Sequence, residues 1–248
     1  MCTTPQKLRK CSFAPSSVRS VRGGGGHVLV LDACGRIHAC GWNNRGQLGL
    51  DSVRDCDDTV DLIACGWDIS GCITTSRKLY VWGSNAFQQL GICQRGFTSI
   101  RKPFLMQLPL NDTPLRISFG MRHTAVLTAD SKIYIYGRLR ISDMTPDEIN
   151  IIKISQSSMV VKLIPRLASE LAIQNITSGQ HHLMMHLSAA EDQESQPTPM
   201  ELKFSKAIAP VQLHLGSEHG LFVSKEGDVF TWGWNEHGNC GNDSTDNL

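Results

Sequence analysis

The chain has 248 residues, of which 24 are Lys or Arg and 23 are Asp or Glu, so that its formal net charge is +1. This balance excludes the strongly basic surface with which proteins attract nucleic acids or acidic membranes. No apolar run approaches the ~20 residues of a transmembrane helix, the N-terminus lacks the hydrophobic segment of a signal peptide, and the nine cysteines form no C-x-x-C pair. An intracellular protein with reduced thiols is therefore expected, in the cytoplasm and also in the nucleus.

Residues 1–22 are polar and basic, and a disordered tail is expected there. Beyond this tail, four segments share the pattern of a β-hairpin, in which a turn signal separates two apolar runs rich in β-branched or aromatic residues. The turn signals are, in chain order, Cys34-Gly35, Ser76-Arg77, Asp130-Ser131 and Glu226-Gly227. Strands are therefore predicted on both sides of each turn.

A Gly-x-x-His signature precedes each hairpin. It occupies residues 24–27, 120–123, 179–182 and 216–219, and in the copy at 66–69 an isoleucine stands where histidine is expected. The five anchors are His27, Ile69, His123, His182 and His219, with a period of about 50 residues, which lies in the range of propeller blades. Short, evenly spaced strands with recurring glycines predict an all-β fold of the β-propeller type.

A second phrase, Gly-x-Asn-x-x-(Gly/Gln)-x-(Leu/Cys)-Gly, follows three of the hairpins. Its copies lie at 41–49, 83–91 and 233–241, and a decayed copy begins at Gly137. The glycines suit positive backbone φ angles, and the asparagine is expected to hydrogen-bond the backbone of its own turn. The leucine is expected to fill the space between neighbouring blades.

These elements divide the chain into the tail 1–22, propeller repeats at 23–187, a disordered linker or deletion scar at 188–203, and a truncated final repeat at 204–248. The linker prediction depends on a polar stretch with Glu, Gln, Ser and Pro between Ala189 and Pro199. The anchor at His182 has no complete hairpin after it.

None of the reactive side chains predicts a catalytic, cofactor-binding or metal-binding residue. His182 and His186 would lie about 13 Å apart along one face of a strand, with no cysteine or acidic cluster nearby, so zinc is not expected. The Gly-x-x-His histidines recur once per blade and are interpreted as buried residues hydrogen-bonded to their own loops. The run Gly23–Gly26 lacks the Gly-Lys-Ser/Thr ending of a phosphate loop and is interpreted as a close backbone approach near the propeller axis.

An acidic loop follows the first copy of the Gly-x-Asn phrase, with aspartates at 51, 55, 57 and 58. A solvated connection is the first interpretation, and a contact loop for a basic partner is the alternative.

Four stretches, 23–50, 64–92, 118–137 and 215–241, resemble the regulator-of-chromosome-condensation repeat, whose family fold is a seven-bladed β-propeller. Within this family the resemblance is to guanine nucleotide exchange factors that regulate secretion. It implies small GTPases and exocyst-type tethering proteins as partners, no cofactor and no covalent chemistry, because exchange needs only a protein surface that favours the nucleotide-free GTPase. Of the seven blades, about four to five are represented, so an incomplete propeller is expected.

Three alternatives stand beside this prediction. The chain could be a truncated scaffold fragment without exchange activity, whose open strand edges invite strand addition or aggregation. It could also be a degenerate but complete propeller of four to five blades. An enzyme with a site on the propeller axis is the weakest alternative, because no convergent acid, base or metal set is visible.

Overall fold

The computed structural model describes residues 17–50, 58–92, 96–139, 149–155, 158–163, 171–189, 210–241 and 245–246. Seventeen strands and one short 3-10 helix, Pro109–Asn111, occur in these ranges. The strands form five antiparallel sheets, so the all-β prediction is confirmed. No helix that could cross a membrane is found in this described part.

The sheets follow one another along the chain. Sheet 1 contains β1 (Val18–Gly23), β2 (His27–Asp32) and β3 (Ile37–Gly41). Sheet 2 contains β4 (Val60–Cys65), β5 (Ile69–Thr74), β6 (Leu79–Ser84) and β7 (Ser99–Met106). Sheet 3 contains β8 (Pro114–Phe119), β9 (His123–Thr128), β10 (Ile133–Gly137), β11 (Ile149–Ser155) and β12 (Ser158–Leu163). Sheet 4 contains β13 (Leu171–Ser178) and β14 (Leu183–Ala189), and sheet 5 contains β15 (Pro210–Leu215), β16 (His219–Ser224) and β17 (Val229–Gly233).

All four hairpins predicted from the sequence are present. They are the pairs β2–β3, β5–β6, β9–β10 and β16–β17, and each pair is antiparallel. The first strand of each of these sheets pairs with the hairpin strand that follows it. The repeating unit is therefore a meander of at least three strands, with the Gly-x-x-His loop between its first and second strands.

The sheets are arranged side by side through their first strands. β1 contacts β4, β4 contacts β8, β8 contacts β13, and β13 contacts β15. This order places the first strands nearest to a common axis, as in a propeller. Sheet 2 and sheet 3 each have a neighbour on both sides, and β5, β9 and β10 are buried throughout.

The hydrophobic core lies between neighbouring sheets. Leu29 and Leu31 of sheet 1 pack with Ile63, Cys72 and Trp82 of sheet 2. A larger cluster joins sheets 2 and 3, and a third joins sheets 3 and 4. A fully buried Leu, Ile or Phe side chain contributes about 1.5–3 kcal/mol, so these interfaces hold the sheets together.

β1 corrects the predicted extent of the N-terminal tail. Residues 18–22 belong to this strand, which pairs with β2 from Ser20 opposite Leu31 to Gly23 opposite Val28. A polar, basic segment can form a strand here because its bonds to β2 are made by the backbone, while most of its side chains are exposed. Residues 1–16 lie outside the described ranges, as do 190–203 of the predicted linker; residues 188–189 end β14.

Candidate interaction face

The two recurring sequence phrases lie at the same face of the sheets. In four sheets, a backbone hydrogen bond joins the end of the hairpin to the Gly-x-x-His loop. The donor is the N–H of the residue after the glycine that begins the Gly-x-Asn phrase or its decayed copy, and the acceptor is the carbonyl of the residue just before the anchor. These bonds run from Trp42 to Gly26, Ser84 to Asp68, Arg138 to Arg122 and Trp234 to Glu218, at 2.8–2.9 Å. We call this side of the molecule the turn face, and the opposite side, with the hairpin turns, the hairpin face.

The asparagine of each complete Gly-x-Asn phrase holds its turn together, as the sequence predicts. Its Oδ1 accepts the backbone N–H five residues later: Leu48 for Asn43 at 3.0 Å, Leu90 for Asn85 at 3.0 Å, and Cys240 for Asn235 at 2.7 Å. The side chain thus replaces a backbone acceptor inside the turn. Leu90 is fully buried in the cluster between sheets 2 and 3, which confirms the predicted role of this position.

Positive φ angles recur at the sixth position of the phrase, at Gly46 (83°), Gln88 (62°) and Gly238 (72°). We expect Gly238→Ala to lower the free energy of unfolding by about 1 kcal/mol, because its Cβ would meet open space and only backbone strain would act. Gly46→Ala should cost about 1–2 kcal/mol more, because its Cβ would lie 2.6 Å from the Cα of Arg101. Urea denaturation of both variants would measure the difference, and equal losses would contradict it.

The first two copies of the phrase also bond the next sheet through the backbone carbonyl of a glutamine. Gln47 O accepts from Ser70 Oγ at 2.8 Å and from Trp82 Nε1 at 2.9 Å, both in sheet 2. Gln89 O accepts from Thr124 Oγ1 of sheet 3 at 2.6 Å. Ser70 and Thr124 directly follow the anchors of their sheets, so the same connection recurs. Sequence reasoning missed it, although the hydroxyl residues beside two anchors were a visible signal.

The Gly-x-x-His loops pack side by side near the axis. Gly25 donates its N–H to Trp67 O at 2.9 Å, and Met121 donates its N–H to Gln180 O at 2.9 Å. A Cβ on Gly24 would lie only 2.5 Å from Gly66 O. Within the run Gly23–Gly26, a close backbone approach is therefore observed at Gly24 and Gly25, whereas a Cβ on Gly23 would meet nothing within 4 Å.

His27 and His123 do not hydrogen-bond their own loops, which corrects the interpretation from sequence for these two anchors. His27 Nε2 lies 2.8 Å from Ser70 Oγ of the next sheet. His123 is fully buried, and neither of its ring nitrogens has a hydrogen-bond partner among the described residues. The loops are instead closed by their backbones, with Gly24 N donating to His27 O and Gly120 N to His123 O. Burial, and after it the neighbouring His182 and His181, lower the pKa of His123 to about 4.

The histidines are distributed around the sheets rather than gathered at one point. Burial lowers the pKa of His27 and also that of His182 and His186 in sheet 4. No group of three or more metal-binding side chains occurs in the part of the chain that the structure describes. The expectation of no catalytic or metal residue stays a prediction.

Two tryptophans stand exposed on the turn face. Trp42 is 69% exposed and Trp67 is 49% exposed. The indole of Trp42 lies over Gly26, where a Cβ would come within 2.6 Å of its ring, and the indole of Trp67 lies over Gly25, where a Cβ would come within 2.9 Å. The two indoles thus cover consecutive glycines, and the absence of side chains at Gly25 and Gly26 makes room for them.

Other aromatic and charged groups share this face. Trp234 and His237 of the third phrase meet edge to face, with ring centroids 5.0 Å apart. The guanidinium groups of Arg122 and Arg138 lie over the ring of Phe87. Burial raises the pKa of Asp68, an effect that Ser84 and Arg45 oppose. Aromatic and arginine side chains are the types that most often carry the binding energy of protein interfaces.

At the hairpin face, several charged side chains form ion pairs within the chain. Arg19 and Arg77 pair with Asp61, and Lys132 pairs with Asp112 and Asp130. Asp58 accepts hydrogen bonds from Ser76 and from Thr75 Oγ1. Hydrogen bonds with Ser76, then Thr74 and Thr75, lower the pKa of Asp58 to about 2. Asp58 is therefore held by the turn of the β5–β6 hairpin. The other three aspartates of the acidic loop lie outside the described ranges.

Comparisons with known proteins agree with this geometry. Two models of the regulator of chromosome condensation (RCC1) repeat match residues 78–127 and 211–239. The mouse secretion-regulating guanine nucleotide exchange factor is 28% identical over 94% of this chain and 44% of its own length. The ultraviolet-B receptor UVR8 of Arabidopsis thaliana is 24% identical over 96% of this chain and 45% of its own length. The chain thus spans less than half the length of these relatives.

Solved structures with the same fold include human WBSCR16, with a TM-score of 0.56 and 18% identity over 97% of this chain and 53% of that protein. Prp20p of Saccharomyces cerevisiae, for which binding to Gsp1p and histones was also studied, has a TM-score of 0.51 and 19% identity over 96% of this chain and 50% of its own. At these identities the likeness shows the fold alone.

Proposed function

We propose, from the premise that this chain carries repeats of the regulator of chromosome condensation family in an incomplete β-propeller, that it is a protein-interaction propeller that regulates guanine nucleotide exchange on a small GTPase. The relative named as a secretion-regulating exchange factor supports the type of activity. The observation that carries the proposal is the turn face, where Trp42 and Trp67 are exposed together, with their indoles against Gly26 and Gly25 of the first Gly-x-x-His loop.

The chemistry of exchange fits a surface rather than a catalytic centre. An exchange factor stabilises the nucleotide-free GTPase more than the loaded one, so the gain comes entirely from differential binding. Large apolar side chains with a polar end, such as tryptophan, supply such binding energy when a partner removes them from water. Trp42 is held by the glycine run beneath it, so little conformational freedom would be lost on docking.

The test is a nucleotide-release assay over a panel of small GTPases loaded with a fluorescent guanine nucleotide. The unmodified chain should accelerate release from at least one GTPase, and the Trp42→Ala/Trp67→Ala variant should reduce this acceleration at least about tenfold, as expected when interface tryptophans are truncated. The matched control is Leu110→Ala/Val229→Ala, which removes two exposed apolar side chains (85% and 64% exposed) on the opposite side.

Two outcomes would count against this proposal in different ways. If no GTPase of the panel is accelerated by the unmodified chain, exchange activity is wrong for this chain. If the control variant loses as much acceleration as the tryptophan variant, the turn face is not the contact surface.

A scaffold fragment without exchange activity is the second candidate. It is favoured by the exposure of β1, where Val18 and Val21 are 52% and 51% exposed. A chain with open strand edges would associate with other chains or melt without cooperativity. Thermal melting of residues 1–248 would measure cooperativity, and sedimentation would measure the oligomeric state. A monomer that melts cooperatively would exclude the scaffold fragment.

A role in secretion and an exocyst-type tethering partner stay predictions from the resemblance. Co-precipitation of a tagged chain with tethering proteins from cell extract would test the partner, and imaging of the same tagged chain would test the predicted location in the cytoplasm and nucleus. The Trp42→Ala/Trp67→Ala variant provides the specificity control for the co-precipitation.

A further inference from the structure

We propose that Arg122 and Arg138 form a binding site for a carboxylate side chain presented by a protein partner at the turn face. The inference deepens the proposed function, because it names the chemistry that the partner would bring. The carboxylate site would be the same for a protein partner that is not a GTPase.

The two arginines are held together by the fold. Arg138 N donates to Arg122 O at 2.8 Å, so the residues are adjacent although they belong to different loops. Their Cζ atoms lie 4.9 Å and 5.4 Å from the centroid of the Phe87 ring in the phrase of sheet 2. Phe87 thus supports both guanidinium groups at the boundary between sheets 2 and 3. Both arginine residues are exposed to solvent.

The positive charge of this pair is not neutralised by the chain as described. Every ion pair found in the described ranges involves other basic residues, namely Arg19, Arg36, His38, Arg77 and Lys132. The Phe87 ring attracts each guanidinium group, but the two like charges repel each other. An acidic group from outside would relieve this repulsion.

The repeat itself does not require two arginines. In the other sheets with the same backbone bond, these two positions hold Gly26 and Trp42, Asp68 and Ser84, and Glu218 and Trp234. The backbone connection therefore forms with small, acidic or aromatic side chains alike. The double arginine of sheet 3 is a local feature that the fold accommodates without depending on it.

Guanidinium chemistry points to a planar oxyanion. Each guanidinium presents its N–H groups as a rigid fork that can donate two parallel hydrogen bonds to a carboxylate. Stacking on an aromatic ring restricts the arginine side chain beforehand, so that less entropy is lost on binding. Since the backbone N–H of Arg138 already bonds Arg122 O, the ligand would be held by the guanidinium groups.

The experiment measures binding of a fluorescein-labelled peptide of six glutamates to the full chain by fluorescence anisotropy at an ionic strength of about 0.15 M, where charges more than about 8 Å apart are largely screened. The Arg122→Ala/Arg138→Ala variant should weaken binding at least about tenfold, since two charge-assisted contacts are lost. The Lys78→Ala/Lys225→Ala variant is the matched control, because it removes two exposed positive charges at the hairpin face and should change the affinity by less than about twofold. Arg122→Lys/Arg138→Lys keeps the charge without the forks and should retain only part of the affinity.

Three results would overturn the inference. The first is equal weakening by both alanine variants, which would reflect net charge alone. The second is equal binding of a peptide of six glutamines. The third is displacement of the peptide by inorganic phosphate far beyond the effect of sodium chloride at equal ionic strength, which would assign the site to phosphate. Because this readout needs no GTPase, peptide binding without nucleotide release would reject the proposed function and leave this site standing.

Discussion

Replacing Trp82 by alanine should lower the free energy of unfolding by about 3–5 kcal/mol, the range found when large buried aromatic residues are truncated. The side chain is 2% exposed and packs in the cluster between sheets 1 and 2 with Leu29 and Leu31. Its Nε1 donates to Gln47 O at 2.9 Å, so the substitution removes a hydrogen bond as well as apolar contacts. Because this cluster joins the two sheets, the loss should appear in the main unfolding transition.

Urea denaturation followed by circular dichroism would measure this loss. Trp82→Phe keeps an aromatic ring and loses the N–H donor, so it should lower the free energy of unfolding by less than Trp82→Ala does. In this variant, Gln47 O would still accept a hydrogen bond from Ser70 Oγ. Trp42→Ala is the control for removing a tryptophan, and since Trp42 is exposed its effect should stay within about 0.5 kcal/mol. Similar losses for Trp82→Ala and Trp42→Ala would contradict the assignment of Trp82 to the core.

Substituting His123 by isoleucine should remove a large part of the acid sensitivity of the protein. The pKa of this buried imidazole is lowered to about 4, from an ordinary value near 6.5 in the unfolded chain. Between pH 6.5 and pH 4 the unfolded state therefore binds a proton that the folded state excludes, so stability falls as the pH falls. From pH 7 to pH 4, the unmodified chain should therefore lose about 3 kcal/mol more of its free energy of unfolding than the variant loses.

Isoleucine is the matched substitution because Ile69 occupies the same position of sheet 2, where it is fully buried. At pH 7 the variant should be at least as stable as the unmodified chain, since neither ring nitrogen of His123 is hydrogen-bonded among the described residues and no bond is lost. Urea denaturation at pH values from 4 to 7.5 measures both effects. His237→Gln is the control, because it removes one imidazole from an exposed position. Parallel pH profiles for the chain and His123→Ile would contradict the prediction.

The proposed interface and the proposed carboxylate site depend on the same property of the repeat. Backbone bonds fix the loops of the turn face, whereas the side chains at the positions of Trp42 and Arg138 are not constrained by the core. Variable side chains on a rigid frame are how repeat proteins acquire binding surfaces. Trp42 and Arg138 occupy equivalent positions of their sheets, and each has acquired a different means of contact.

The sequence by itself determined the elements that depend on local chemistry. Apolar runs rich in β-branched or aromatic residues on both sides of two-residue turn signals identified the four hairpins. The glycines and the asparagine of each phrase identified the turns. These features repeat along the chain, so each copy supports the others. The predicted all-β class and the repeat family followed from that repetition.

The tertiary structure alone decided what the neighbouring sheets bring together. The polar residues 18–22 of β1 predict a tail, yet their pairing with β2 makes them part of a strand. The bond from His27 to Ser70 and the placement of Arg138 beside Arg122 over Phe87 join residues from separate loops or sheets. Sequence spacing specifies which face of its own strand a residue occupies, whereas such contacts arise only when whole sheets pack against each other.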